Sequence, residues 1–259
     1  MNHIRIDNNY FRLPKSLNDL TEKQLHSFIA CRFSGLSPFE SQLVFLKSLV
    51  NNKVNRVLRD VSAIQLTEIV ALLDWLHEPL PLKPLFENFT FDSVVYYAPQ
   101  ERMRTSVIAE YIACDNALMS YEVDELYLEK LTAFLYRPAD SSKEFGDIRE
   151  KMNTDKTIAT ATNFKRLPMT YKIAALGFFI EIKQFIAAAY KEVFENEQEE
   201  GLVESSWGTT LMKIAETQVN GKLEDVKFTN MYEVFGYLKL KKQEHQEAEY
   251  KRKTKKYEN

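Results

Sequence analysis

Three times within its first 65 residues the chain spells the start of a helix in the same way. Thr21-Glu22-Lys23-Gln24, Ser37-Pro38-Phe39-Glu40 and Ser62-Ala63-Ile64-Gln65 each place a hydroxyl three positions before a Glu or Gln. The hydroxyl accepts from the backbone amide of the third helical residue while the longer side chain reaches back to the amide of the cap, so two otherwise orphaned donors are satisfied together. In the second box Pro38 takes the first helical position, where a missing amide proton costs nothing. Apolar residues follow each box at helical spacing, as in Leu25, Phe28, Ile29 and Cys31, then Leu43, Phe45, Leu46, Leu49 and Val50, then Leu66, Ile69, Val70, Leu72, Leu73 and Leu76. Gly35 stops the first helix, Asn51-Asn52 the second, and the run Pro79, Pro81 and Pro84 the third.

The rest of the chain follows the same grammar. Only 7 of 259 residues are glycine, under half of the roughly 7% of average composition. Sheets with many primed turns, Rossmann folds and phosphate-binding loops normally need more of it. The fold class expected is therefore mainly α: a multi-helix orthogonal bundle with a small N-terminal β-hairpin. The hairpin comes from the weak alternation of Ile4, Ile6, Phe11 and Leu13 around Asn8-Asn9. The stretch 85–100, with Phe89, Phe91, Val94, Val95, Tyr96 and Tyr97, is consistent with a strand or with a short buried helix. Further helices are expected from Glu101, from Val123 to Tyr136, from Leu167-Pro168 to about Glu195, around Trp207 to Gln218, and from about Asn230. The acidic run 195–200 and Gly201 end the long one, and Asn220-Gly221 the next. The domain plan that results is a hairpin plus helical subdomain over 1–138, a polar linker or loop over 139–166, a second helical subdomain over 167–238 and a charged, frayed tail over 239–259. The most apolar window, 173–180, is far shorter than the ~20 residues of a membrane span and reads as buried helix.

Chemical signatures do not accumulate. Cys31 and Cys114 lie in apolar helical patterns, without a C-x-x-C spacing, and read as buried thiols of a reducing compartment. Asp74-x-x-His77 is a single instance of a pattern that a di-iron helical site needs twice with glutamate, and the four histidines and two cysteines are too scattered for zinc. There is no Gly-x-Ser-x-Gly elbow. Glu110, Asp115, Glu122, Asp124 and Glu125 gather around a helix junction, where the helix dipole and solubility explain carboxylates first and acid-base work second. No catalytic residue, cofactor or metal is therefore assigned.

Two aromatic stripes remain. Phe178, Phe179, Phe185, Tyr190 and Phe194 on the long helix, and Tyr232, Phe235, Tyr237 and Leu238 on the last one, are core by default and otherwise a groove for an apolar partner helix. Lys241 and Lys242 continue the second stripe into the tail. Residues 239–259 carry eight Lys or Arg against four acids, a net of +4, and the whole chain is −3, so residues 1–238 carry −7. The tail is a solvated extension or an electrostatic handle for an acidic protein; nucleic acid is disfavoured because the acidic body repels phosphates.

Certain short motifs resemble those of tail assembly chaperone-like proteins from tail-gene clusters of tailed phages and prophages of Bacteroidetes. These are Leu13-Pro14 with Leu20-Thr21, Leu135-Tyr136-Arg137-Pro138, Leu167-Pro168, Trp207-Gly208 and the run from Tyr232 to Leu238 with its Lys/Glu-rich end. The resemblance implies a non-enzymatic helical protein of the host cytoplasm that binds tape measure or tail tube proteins before assembly, with a homo-oligomer open to it. It supplies no catalytic residues. The alternatives are a virion component, such as a connector or packaged protein, and a helical nucleic-acid-binding regulator using the basic tail.

Overall fold

The computed structural model describes residues 2–6, 9–50, 58, 61–141, 146–194, 207–217 and 221–257. They are mainly α-helical, with a two-stranded hairpin and a three-stranded sheet. The chain divides into two compact units, Met1–Leu80 and Pro81–Asn259. The division falls among Pro79, Pro81 and Pro84, not at the polar stretch 139–166 that the sequence offered as a linker.

In the first unit, β1 (Asn2–Ile6) pairs antiparallel with β2 (Asn9–Leu13), Ile4 opposite Phe11; Asn8 of the expected turn lies outside the described residues. Helices α1 (Glu22–Arg32), α2 (Pro38–Leu49) and α3 (Ala63–Ala71) each begin with a complete capping box on Thr21, Ser37 and Ser62. At Ser37, for example, the Glu40 amide donates to the hydroxyl at 3.4 Å while the Ser37 amide donates to the Glu40 carboxylate at 3.0 Å. After α1 the chain reverses through Gly35 at φ 72°, a left-handed conformation that a Cβ would disfavour. The Asn51-Asn52 stop of α2 lies outside the described residues.

What joins these helices is an aromatic trio. Phe28 stacks on Trp75 at 5.9 Å between centroids, and Phe45 meets both edge-on at 6.3 and 6.0 Å. The Trp75 indole N–H donates to the Pro14 carbonyl at 3.1 Å, tying the end of β2 to the same core. His77 belongs to a polar cluster at its rim, with Nε2 3.1 Å from Ser41 Oγ and Nδ1 3.3 Å from an Arg32 guanidinium nitrogen.

The second unit opens with the stretch that periodicity left open, and it is sheet. β3 (Asn88–Phe91) and β4 (Val94–Tyr97) form an antiparallel hairpin, and β5 (Arg137–Pro138) adds to the free edge of β4. Asp92 and Ser93 make the two-residue turn at φ 47° and 65°, the primed geometry that suits the strand twist and normally selects Asn or Gly. Then come α4 (Ile108–Met119), α5 (Tyr127–Leu135), α6 (Thr154–Asn163), α7 (Met169–Ala189), α8 (Lys191–Phe194), α9 (Trp207–Glu216), α10 (Leu223–Lys227) and α11 (Met231–Tyr257). Glu101 does not begin an α-helix: Arg102 and Met103 have φ of 57° and 51°, and α4 starts five residues later.

α7 is buried along Ala174, Ala175, Phe178, Phe179, Ile182 and Ile186, as its apolar circumference requires. It breaks at Tyr190; the acidic run 195–200 and Gly201 lie outside the described residues, as does Asn220. Two departures from the sequence plan matter. Residues 146–166 are no linker, because α6 packs on α5 and the Arg149 side chain is buried. Residues 239–257, expected as a charged tail, continue α11 as helix through Tyr257.

Phe45→Ala empties the site between Phe28 and Trp75, which is fully buried. It is expected to lower the stability of the first unit by about 3–5 kcal/mol, read from the urea transition of Trp75 fluorescence in a Trp207→Phe background.

Candidate functional site

A carboxylate and two guanidinium groups lie where the second unit is otherwise apolar. Glu110 is on the first turn of α4, Arg137 on β5 and Arg149 in the loop before α6; all three are buried, Arg149 and Glu110 to 1% exposure each. Arg149 donates to both Glu110 oxygens at 2.8 and 3.2 Å and to both Asp147 oxygens at 2.8 and 2.7 Å. It also donates to the Leu135 carbonyl at 2.6 Å and the Ser106 hydroxyl at 3.2 Å. Arg137 donates to Glu110 at 2.9 Å and to the carbonyls of Phe134 and Glu150 at 2.6 and 2.9 Å.

Two positive and two negative groups make this cluster formally neutral, which burial demands, since an unpaired charge in such a site costs several kcal/mol. Burial alone would lower the Arg149 guanidinium, but Glu110 and Asp147 outweigh it and hold the group above its ordinary value. Burial would raise Asp147, yet the bonds and charge of Arg149 leave its carboxyl below the usual range. Beside the cluster is a cleft of about 400 Å³, walled by Thr105, Val107, Lys151, Met152 and Phe228 as well as by the charged groups. The guanidinium N–H groups are aimed at Glu110, Asp147 and main-chain carbonyls. The cluster thus fastens α4, the end of α5, β5 and the 147–150 loop to one another.

Two more ion pairs cross the unit. Lys172 of α7, 4% exposed at its side chain, donates to Glu129 of α5 at 2.8 Å. Asp115 of α4 accepts from Lys183 at 2.6 Å and from the Trp207 indole at 3.1 Å. The five acids that gather in sequence therefore part company in space. Glu110 and Asp115 go inward to different cations, and Asp124 receives the Leu126 amide and the Lys130 ammonium, which hold its carboxyl below the usual range. Glu122 accepts from the Tyr121 hydroxyl at 2.6 Å. No group of three or more His, Cys, Asp or Glu side chains is placed to hold a metal ion among the described residues. Cys31 and Cys114 are both buried, and burial pushes the Cys114 thiol up.

The aromatic stripes enter one core, as their default reading has it: Tyr190 meets Phe235, and Tyr111 lies against both Phe179 and Phe235. Phe178, Phe179 and Phe235 are buried to 2% or less. Phe235 sits among Tyr111, Tyr190, Phe194 and Trp207 at centroid distances of 5.3–6.0 Å. Phe178, Phe179 and Phe235 thus drop out as partner contacts, because the chain's own core occupies the space. Phe185, Tyr190, Tyr232, Tyr237 and Leu238 are half-buried against that core. The Tyr232 hydroxyl, bonded to the Arg102 carbonyl, has its pKa pushed up to about 12, chiefly by burial. Lys241 remains exposed over the Tyr237 ring, paired to Glu244 at 2.7 Å, and Lys242 is half-buried.

Among the described residues of the second unit, exposed apolar side chains gather on the turn between α4 and α5, besides separate ones such as Met212, Phe228, Leu240 and Tyr250. Met119, Tyr121 and Val123 are 68%, 58% and 87% exposed. The turn is well built, with the Val123 and Asp124 amides donating to Ser120 O at 3.0 and 2.8 Å. Exposed Glu122 and Glu125 flank the three apolar side chains. Local patterning gives this turn no mark of its own, because Met119 closes the apolar pattern of one expected helix and Val123 opens that of the next. Arg137 was visible as a charge within the apolar run 131–138, whereas nothing local distinguishes Arg149 from a surface arginine. No family model, no curated protein and no solved structure matches the chain. Among the described residues no helix is long and apolar enough to cross a membrane.

Arg149→Met leaves Glu110 buried beside Arg137 alone, and is expected to destabilise the second unit by about 3–5 kcal/mol in chemical denaturation. Asp147 is held below its ordinary pKa, so its contribution is present above pH about 4 and lost as pH falls through the lower folded value. Asp147→Asn should therefore be less stable than wild type at neutral pH, with the difference shrinking in acid, as measured by thermal melts across pH.

Proposed function

We propose that this protein is a non-enzymatic helical binding protein of the tail assembly chaperone type, which holds phage tail proteins such as the tape measure or the tail tube in the host cytoplasm before assembly. The observation that carries the reading is the ordered turn bearing Met119, Tyr121 and Val123. Large apolar side chains on a rigid turn ringed by Glu122 and Glu125 suit a partner helix with an apolar stripe and flanking Lys or Arg, and a tape measure is a long helix of that striped kind. The motifs quoted above supply the identity of the partner class. The aromatic stripes of α7 and α11 play no part in it beyond supporting the core.

Co-expression with the tail proteins, followed by pull-down, tests the reading. Wild-type protein is expected to capture a tape measure or tube protein, and Tyr121→Lys with Val123→Lys to reduce capture at least about tenfold, the loss expected when a central apolar anchor is replaced by charge. Failure to capture either partner removes the chaperone reading. Recovery of the protein at fixed copy number in purified particles would instead support a connector or packaged component.

A further inference from the structure

From Gln243 onward every side chain of α11 whose exposure is described is exposed, although the helix continues to Tyr257. A mainly charged segment of fifteen residues, 243–257, is marginal on its own as a helix in water. Pairs such as Glu247 with Lys251 add only about 0.3–0.5 kcal/mol each. Positions 240, 243, 247, 250, 254 and 257 recur at the alternating three and four spacing of a helix-pairing seam. They include Leu240 at 53% and Tyr250 at 73%, the large apolar side chains exposed on this helix among the described residues.

We infer that the outer half of α11 pairs antiparallel with the same segment of a second copy of this chain, Glu247 of one meeting Tyr250 of the other. The charge pattern selects both the occupant and the register. A parallel pair would place Glu247 against its own copy within the seam. In the antiparallel pair, position 240 faces 257, Gln243 faces Thr254, and Glu244 beside the seam faces Lys251 of the second copy, twice by symmetry. Sliding by one heptad either way sets Glu244 against Glu244 or Lys251 against Lys251, and like charges so placed are disfavoured. The arrangement is two-fold and closed, the commonest symmetry of homo-oligomers. With few apolar layers it is a weak, salt-sensitive association, at the small end of specific interfaces.

Sedimentation of the full chain over a wide concentration range, at low and high salt, tests it. Wild type is expected to pass from monomer to dimer, more readily at low salt. Glu244→Lys or Lys251→Glu alone should weaken the dimer at least about tenfold by opposing like charges, while the double reversal restores it. The melting temperature is read alongside, and exposed sites such as these leave it unchanged. A chain that stays monomeric throughout, a double reversal that stays monomeric, or binding of nucleic acid to a monomer that Lys251→Glu abolishes would each overturn the pairing.

Discussion

The second unit is organised around the guanidinium of Arg149. Its donors reach the side chains of Glu110, Asp147 and Ser106 and the carbonyl that ends α5. Each of those groups is buried or nearly so, and each would otherwise need water that the core does not admit. Arg137 completes the arrangement from β5, where it takes the second share of Glu110. The helices around it obtain their apolar contacts from Phe89, Tyr136, Phe179 and Phe235. Apolar contacts tolerate sliding, however, whereas a fork of donors fixed on two carboxylates does not. The position of α4 against the 147–150 loop is set by that fork.

Local physics made the first unit readable. Its helix starts are decided by hydroxyl and carboxamide groups three residues apart, and all three capping boxes are present. Long-range pairing made the second unit harder. The stretch 88–97 pairs chiefly with itself, around an Asp92-Ser93 turn that lacks the glycine by which such turns are recognised, and β5, forty residues on, adds two further residue pairs that no window around Phe89 contains. The polar stretch 139–166 looked like a linker because its composition is polar, yet Arg149 and Thr157 are polar and buried. The stripes of α7 and α11 were legible as apolar faces. That they meet each other rather than a partner follows only from the fold, since either arrangement satisfies the same periodicity.

The two surfaces proposed for binding are of different kinds. One is a short turn whose backbone bonds are internally satisfied, so its side chains can be apolar without the turn losing its shape. The other is a helix extended past its own core, whose charges alternate in blocks along the axis. Neither draws on the core, which is filled by its own aromatic residues, nor on Glu110, Arg137, Asp147 and Arg149, which are paired with one another.

The start of α11 is stitched to the start of α4. The Ile108 amide donates to Thr229 O at 2.9 Å, the Met231 amide to Ser106 O at 3.1 Å, and the Asn230 side chain to Arg104 O at 2.8 Å. These bonds join segments more than a hundred residues apart in the order of synthesis. On the ribosome α4 emerges long before its partner exists, so Ser106 and Ile108 wait with open hydrogen-bonding groups until residue 231 has left the exit tunnel. Closure of the second unit is thus a late event of translation, and a chain truncated before α11 would keep an unfinished edge at the place where its ion cluster begins.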